Sequence, residues 1–193
     1  MEKIGIVILA AGNSSRLGFP KQLLEIDGES LLLRTVSMAQ ELSDCVVTVL
    51  GYNYKRHHKE ITDITENIAF NLDWNKGIGN SIKCGFNTLH RMNSDLCAVV
   101  LLNCDQPYVT KEVIKLLTNE LKEGSQLIMS SYNDHYGLPA VVGRQYFKEL
   151  NRINDEETLE SLTEVYGAHS VPFPKGVFDI DTVEDWDYFC KKD

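Results

Sequence analysis

The chain has 193 residues, 43% of them hydrophobic, enough for one domain with a sizeable core. A formal net charge of −9 argues against a nucleic-acid surface, and the longest apolar run near the N-terminus is far too short to span a bilayer. Five cysteines, odd in number, scattered and without a C-x-x-C pair, read as reduced thiols; with no export signal, a cytoplasmic protein with no membrane partner is expected.

Ile4 to Leu9 is apolar apart from one glycine and reads as a strand buried on both faces. The loop that follows, Gly12 to Gly18, is small and polar, with Arg16 inside it and Lys21 just beyond. Backbone N–H groups exposed in such a loop, beside two cations, suit the oxygens of a polyphosphate. A plain strand-to-helix turn is the alternative, and it has no need of both cations. Two familiar phosphate loops fail on spacing. Five residues separate Gly12 from Gly18 and Gln22 follows Lys21, so this is no Walker A loop. Nor does Ala10-Ala11-Gly12 supply the G-x-G-x-x-G of a dinucleotide fold. The acidic net charge does not forbid a triphosphate, because charges beyond a Debye length of about 8 Å are screened. Charge-assisted hydrogen bonds act at contact and are worth roughly 1.5–3 kcal/mol each.

Asp27-Gly28 marks a turn, and Ser30 caps a helix expected to run to about Leu42. Cys45 to Leu50 is a second strand. Tyr54 to Ile61 is a short basic helix whose Lys55, Arg56, His57, His58 and Lys59 read as a solvated face. Adjacent histidines diverge around a helix, so His57 and His58 make a poor metal pair. Asn67 to Leu72 is a third strand, followed by a second glycine-rich loop, Asp73 to Ser81, which opens a helix with Ile82, Phe86 and Leu89 on one face. Close approach at Gly77 and Gly79 would let main-chain groups and Ser81 read a base and ribose. An ordinary turn capped by Asn80 or Ser81 is the other reading; beside the first loop the binding reading is preferred.

Leu96 to Asn103 is expected as a central parallel strand ending in Cys104-Asp105-Gln106-Pro107. The carboxyl end of a buried strand is where open α/β sheets bind ligands. A carboxylate there is costly unless paired or bound to a cation, and magnesium takes such oxygens. Asp105 capping the turn before the next helix is the competing view. That helix runs from Thr110 to Leu121. Leu127 to Met129 is a further strand, Tyr132 to Tyr136 reads as polar loop, and Gly137 to Val142 leads into a short strand. Asn154 with Glu157 gives a capping-box pattern for a helix to about Tyr166, a last strand precedes Phe178-Asp179-Ile180-Asp181-Thr182, and Thr182 with Asp185 caps the terminal helix. The alternation predicts a three-layer α/β/α domain around a mostly parallel sheet, with residues 1–110 as a nucleotide half and 111–193 as an acceptor half.

The pattern L-A-A-G-x-S-x-R-x-G-x-x-K is met at Leu9, Ala10, Ala11, Gly12, Ser14, Arg16, Gly18 and Lys21. Asn71, Trp74, Gly77-Ile78-Gly79-Asn80-Ser81, Cys104-Asp105-Gln106-Pro107, Gly137-x-Pro139 and Asp179-Ile180-Asp181-Thr182 follow in order. In these motifs the chain resembles the molybdenum cofactor cytidylyltransferase group, nucleotidyltransferases with a Rossmann-like, glycosyltransferase-A-type fold. The resemblance implies that Arg16, Lys21 and Asp105 are catalytic. It also implies that the nucleotide is held by Leu9, Ala10, Ala11, Gly12, Asn13, Ser14, Ser15, Arg16, Lys21, Asn71, Gly77, Gly79, Asn80, Ser81 and Asp105. Magnesium would sit on Asp105 and Asp181, with Asp179 as the alternative second ligand and helix capping as the rival role for Asp181.

The implied reaction is transfer of CMP from CTP to a phosphorylated acceptor, molybdopterin or the molybdenum cofactor, with release of pyrophosphate, the product going to a molybdoenzyme. CTP rather than GTP is suggested by Ala10-Ala11, where members using GTP tend to carry Gly-Gly. The chain departs from many relatives at Gly137-Leu138-Pro139, where they read Gly-His-Pro, and at Asn154 to Leu159, which is acidic and lacks an arginine. Both lie in the acceptor half. A sugar- or polyol-phosphate acceptor is therefore an alternative, as is a non-catalytic molybdenum-cofactor-binding chaperone.

Overall fold

Alternate residues of β1 (Ile4–Ala10) enter different cores: Val7 and Leu9 join one buried cluster, while Ile6, Ile8 and Ala10 join the other. Two-sided burial is what an unbroken apolar strand requires, and it puts β1 inside a sheet covered on both faces. The structure, a computed structural model, describes residues 3–121, 126–132 and 135–192. A small hairpin, β2 (Glu25–Ile26) and β3 (Glu29–Ser30), leads to α1 (Leu31–Gln40), where the Ser30 side chain accepts from the Leu33 amide as the expected N-cap. Then come β4 (Val46–Leu50), α2 (Tyr54–Ile61), β5 (Ile68–Phe70), α3 (Ile78–Met92), β6 (Ala98–Asn103) and α4 (Lys111–Asn119). The second half holds β7 (Leu127–Tyr132), β8 (His135–Gly143), α5 (Phe147–Arg152), α6 (Glu160–Tyr166), β9 (His169–Pro172) and α7 (Val183–Lys192).

Among the described residues the main sheet has seven strands in the order β5-β4-β1-β6-β8-β7-β9. Pairings are parallel except at β8, which runs antiparallel to both β6 and β7. Leu32, Val36 and Ala39 of α1, Ile61 of α2, and Ile114 and Leu117 of α4 cover one face. Ile82, Phe86 and Leu89 of α3, with Phe147 and Leu150 of α5 and Leu162 of α6, cover the other. Gly85 lets α3 lie flat on the sheet, since a Cβ there would sit 2.6 Å from Val49 Cγ2. The three layers are those expected.

The chain leaves β1 by way of α1 to one side, adding β4 and β5, and returns across the opposite face through α3 to β6 on the other side of β1. That reversal opens a crevice at the carboxyl ends of β1 and β6, paired from Ile4↔Ala98 to Leu9↔Asn103. The loop after Ala10 and the turn at Asp105 both start there.

Several boundaries differ from expectation, beginning with α3, which starts at Ile78 and so takes Gly79, Asn80 and Ser81 into its first turn rather than leaving them in the loop. Tyr132, His135 and Tyr136 belong to strands, not to a loop, because β7 and β8 continue past their apolar parts as a hairpin; Asn133 and Asp134 lie outside the described residues. The Asn154–Glu157 capping contacts form, with Glu157 Oε2 accepting from the Asn154 amide at 2.8 Å, but the helix proper starts only at Glu160. The short α5 carries no sequence signal strong enough to have been read.

Candidate active site

The polar loop leaves β1 with an unusual backbone. Ser14 has φ +54° and Gly18 φ +73°, and the Ser14 carbonyl accepts from the amides of both Leu17 and Gly18. The amides of Gly12, Asn13, Ser14 and Arg16 donate to nothing among the described residues. A Cβ at Gly12 would meet no atom within 4 Å, so this face of the loop is open. Consecutive unpaired amides of this kind form an anion seat.

Lys21 follows on a short 3₁₀ turn after Pro20, and its amide donates to Ser14 Oγ at 3.0 Å. Its ammonium, only 15% exposed, is ion-paired with Asp105 and lies 2.7 Å from Asp181 Oδ1. Arg16, on the exposed side, lies 2.6 Å from Asp181 Oδ2. Burial alone would push the Lys21 ammonium down, but the charges of Asp105 and Asp181 and the bonds to them outweigh it and hold its pKa above the ordinary lysine value. Arg16, Lys21, Asp105 and Asp181 thus form one cluster, drawn from three separate parts of the chain.

The acidic side is built by the end of β6 and the segment before α7. Ile180 donates its amide to the Asp105 carbonyl at 3.0 Å, which fixes Asp181 beside Asp105. Asp181 does not cap α7; the expected Thr182–Asp185 capping box does, with Thr182 Oγ1 accepting from the Asp185 amide while Asp185 accepts from the Asp181 and Thr182 amides. Asp105 Oδ1 and Asp179 Oδ1 are buried without a hydrogen-bond partner among the described residues. Burial, then the neighbouring Asp105 and Asp181, push the Asp179 carboxyl up to about 7. Gln106 ties this corner together, its Nε2 donating to the carbonyls of Leu138 and Gly176, both at 3.1 Å.

A cleft of ≈ 370 Å³ runs from this cluster along the sheet edge. Leu9 and Ala10 at the end of β1 line it with Ala11, Gly12, Asn13 and Lys21 from the first loop; Gly77, just before α3, and Ser81, in its first turn, line it with Asp105. Ser14, Ser15, Arg16 and Asp181 lie outside this lining. So do Asn71, Gly79 and Asn80, whose groups are used elsewhere. Asn71 Nδ2 donates to Ser81 Oγ at 3.0 Å, and its Oδ1 accepts from the Asp73 amide. Asn80 donates through its amide and side chain to Asp155. A Cβ at Gly77 or Gly79 would collide with the backbone of Asn154 or Asp155, so these glycines admit the 154–157 segment. That segment is pinned by Lys83, 2.7 Å from Asp155 Oδ1. Gln22, Asn75 and Asn103, given no role from sequence, also line the cleft, as do Ile78 and Trp74 of the quoted motifs, Trp74 packed edge-on against Tyr52. Gln22 offered no local signal; only its contacts reveal it.

The residues fit a divalent cation. Asp105 keeps one buried oxygen without a partner among the described residues, and Asp181 stands beside it across the Lys21 ammonium; magnesium is typically held by one or two carboxylates together with substrate phosphates. No group of three or more His, Cys, Asp or Glu side chains among the described residues forms a self-sufficient metal cage. Nor is any helix among them long and apolar enough to cross a membrane.

The family described as the MobA-like NTP transferase domain matches residues 6–171. The molybdenum cofactor cytidylyltransferase of Escherichia coli strain K12 is 25% identical, across 96% of this chain and 95% of that protein. The bifunctional protein GlmU of Sulfurovum sp. strain NBC37-1 is 33% identical over 60% of this chain, and the match spans only 26% of its own length. The crystal structure of Rv0371C from Mycobacterium tuberculosis H37Rv, a complex with manganese, shares the fold at a TM-score of 0.79, with 22% identity and coverage of 99% and 100% of the two chains.

Proposed function

The chain belongs to the MobA-like NTP transferase domain family, and we propose that it transfers CMP from CTP to a phosphorylated acceptor, molybdopterin or the molybdenum cofactor, with release of pyrophosphate. One observation carries this reading: Lys21, at the foot of a loop with four free amides, faces Asp105 and Asp181 at the mouth of the cleft. Cations and amides on one wall suit the triphosphate. Carboxylates on the other suit its metal.

An acceptor phosphate oxygen forms the new bond to the α-phosphorus as the α–β bridging bond breaks and pyrophosphate leaves with the electron pair. An ionised phosphate needs no base, so the protein's work is positioning and charge neutralisation. Arg16, Lys21 and the amides of Gly12 to Ser14 hold the triphosphate; Gly77 and Ser81 border the ribose and base. Asp105 and Asp181 would hold magnesium, which supplies Lewis-acid neutralisation of phosphate charge. Once nucleotide binds, Arg16 and Lys21 exchange their carboxylate partners for phosphate. Residues 1–110 then serve the nucleotide and the later part of the chain serves the acceptor, with a molybdoenzyme as the destination of the product.

The preference for CTP over GTP rests on Ala10-Ala11: both line the cleft, and a methyl in place of a glycine hydrogen there would narrow the slot for the base. A methyl group is worth only about 1–3 kcal/mol of discrimination, so parallel CTP and GTP titrations should give a modest preference for CTP; tighter GTP binding would reverse the assignment. A sugar or polyol phosphate is the second reading of the acceptor, because Asn154 to Leu159, beside the second loop, departs from the arginine-containing loop that many molybdenum-cofactor relatives carry. Pyrophosphate release with CTP, magnesium and each acceptor class in turn separates the two. Failure with every acceptor, despite tight CTP binding, would point to the non-catalytic carrier instead.

A further inference from the structure

We propose that Gln22 is a positioning residue of the phosphate loop, holding its carbonyls inward so that its amides face the nucleotide. The inference rests on the functional reading above and deepens it. Gln22 is 1% exposed, immediately after Lys21, and folds back beneath the loop. Its Nε2 donates to the Gly12 carbonyl at 2.9 Å and to the Ala10 carbonyl at 3.3 Å. Its Oε1 accepts from Ser14 Oγ at 3.3 Å, and Ser14 Oγ in turn accepts from the Lys21 amide.

In a trans peptide the C=O and N–H point in opposite directions. Drawing the Ala10 and Gly12 carbonyls onto Gln22 therefore turns the Ala11 and Asn13 amides away from it. The Asn13 amide is one of those left without a protein partner. The Ser14 link adds a second constraint, since it fixes a residue at φ +54° and anchors the backbone of Lys21 to the same side chain. A primary amide of this length brings two donors and an acceptor, and all three sites are used. Methionine has the length without the bonds. Glutamate keeps the acceptor for Ser14 but sets a carboxylate against two carbonyls.

The test is titration of magnesium and CTP into wild type, Gln22→Met and Gln22→Glu, each well below its own melting temperature, with the acceptor KM measured alongside. The dissociation constant for CTP should rise about tenfold or more in both variants, with the greater loss in Gln22→Glu, while the acceptor KM stays put. A purely structural glutamine would instead lower the melting temperature and leave the folded protein's CTP affinity unchanged. Wild-type affinity in the variants, or a loss merely in proportion to the unfolded fraction, overturns the inference. Wild type that binds no nucleoside triphosphate overturns the functional reading itself; wild type that binds while the variants bind equally well overturns only the role of Gln22.

Discussion

The Lys21 ammonium lies 2.7 Å from Asp181, across 160 positions of sequence, and contacts Asp105 at the same time. One cation thus occupies the two carboxylates best suited to a metal. Metal and lysine compete until a triphosphate draws the lysine away. Lys21→Met should therefore bind manganese more tightly than wild type in the absence of nucleotide, as read by the electron paramagnetic resonance of free manganese. Lys21→Ala should lose about two to three orders of magnitude in turnover, the usual cost of one transition-state donor. Unchanged metal affinity and wild-type kinetics would remove Lys21 from the site.

Asp105 is 13% exposed at its side chain; one oxygen pairs with Lys21 and the other has no partner among the described residues, and without Asp105 the Lys21 ammonium keeps its ion pair with Asp181. Asp105→Ala should abolish magnesium-dependent turnover while circular dichroism and melting temperature stay close to wild type. A fully active variant would refute its assignment.

Two glycines should respond in opposite ways. A Cβ at Gly79 meets the backbone of Asn154 and Glu157, so Gly79→Ala should cost about 1–3 kcal/mol in denaturant unfolding, as overpacking does. A Cβ at Gly12 meets nothing, so Gly12→Ala should fold normally yet bind CTP more weakly, the methyl standing where phosphate approaches. Equal stability loss in both would show that the first loop is packed rather than open.

Asp179 gives the pH dependence its sign. Burial first, then Asp105 and Asp181, push its carboxyl up to about 7, so the folded protein keeps a proton that the unfolded chain releases near pH 4. The resulting stabilisation is complete below the unfolded value and is lost as pH rises through the folded one. In metal-free buffer the melting temperature should fall from about pH 4 to about pH 7, and Asp179→Asn, which cannot ionise, should remove that part of the slope. An identical slope in the variant would contradict the origin assigned to it.

The parts of this architecture that could be read directly were those written locally. Ile6 to Ala10 and Ala98 to Leu102 are unbroken apolar runs because both of their faces are covered, and Ser30 announces α1 because capping is a contact three residues long. Asp105 was legible because a carboxylate at the end of such a strand needs a partner. What escaped depends on distant contacts. Asn80 turns to Asp155, 75 positions away, and no local pattern reveals that. The Thr182–Asp185 capping box was legible, whereas the turn of Asp181 toward Arg16 and Lys21, 165 and 160 positions away, was not. The helix α5 is six residues long and rests on the burial of Phe147 and Leu150, too brief for a periodicity to emerge. β8 runs to nine residues because pairing with β7 carries through His135 and Tyr136, whose polarity hid the strand.

The most direct test is a thermodynamic cycle: CTP titrated with and without magnesium into wild type and into Asp105→Ala. If the aspartate presents the metal to a triphosphate held by Arg16 and Lys21, magnesium tightens CTP binding in wild type and fails to do so in the variant. Equal tightening in both proteins would mean that Asp105 has no part in seating the metal, and the site described around it would be wrong.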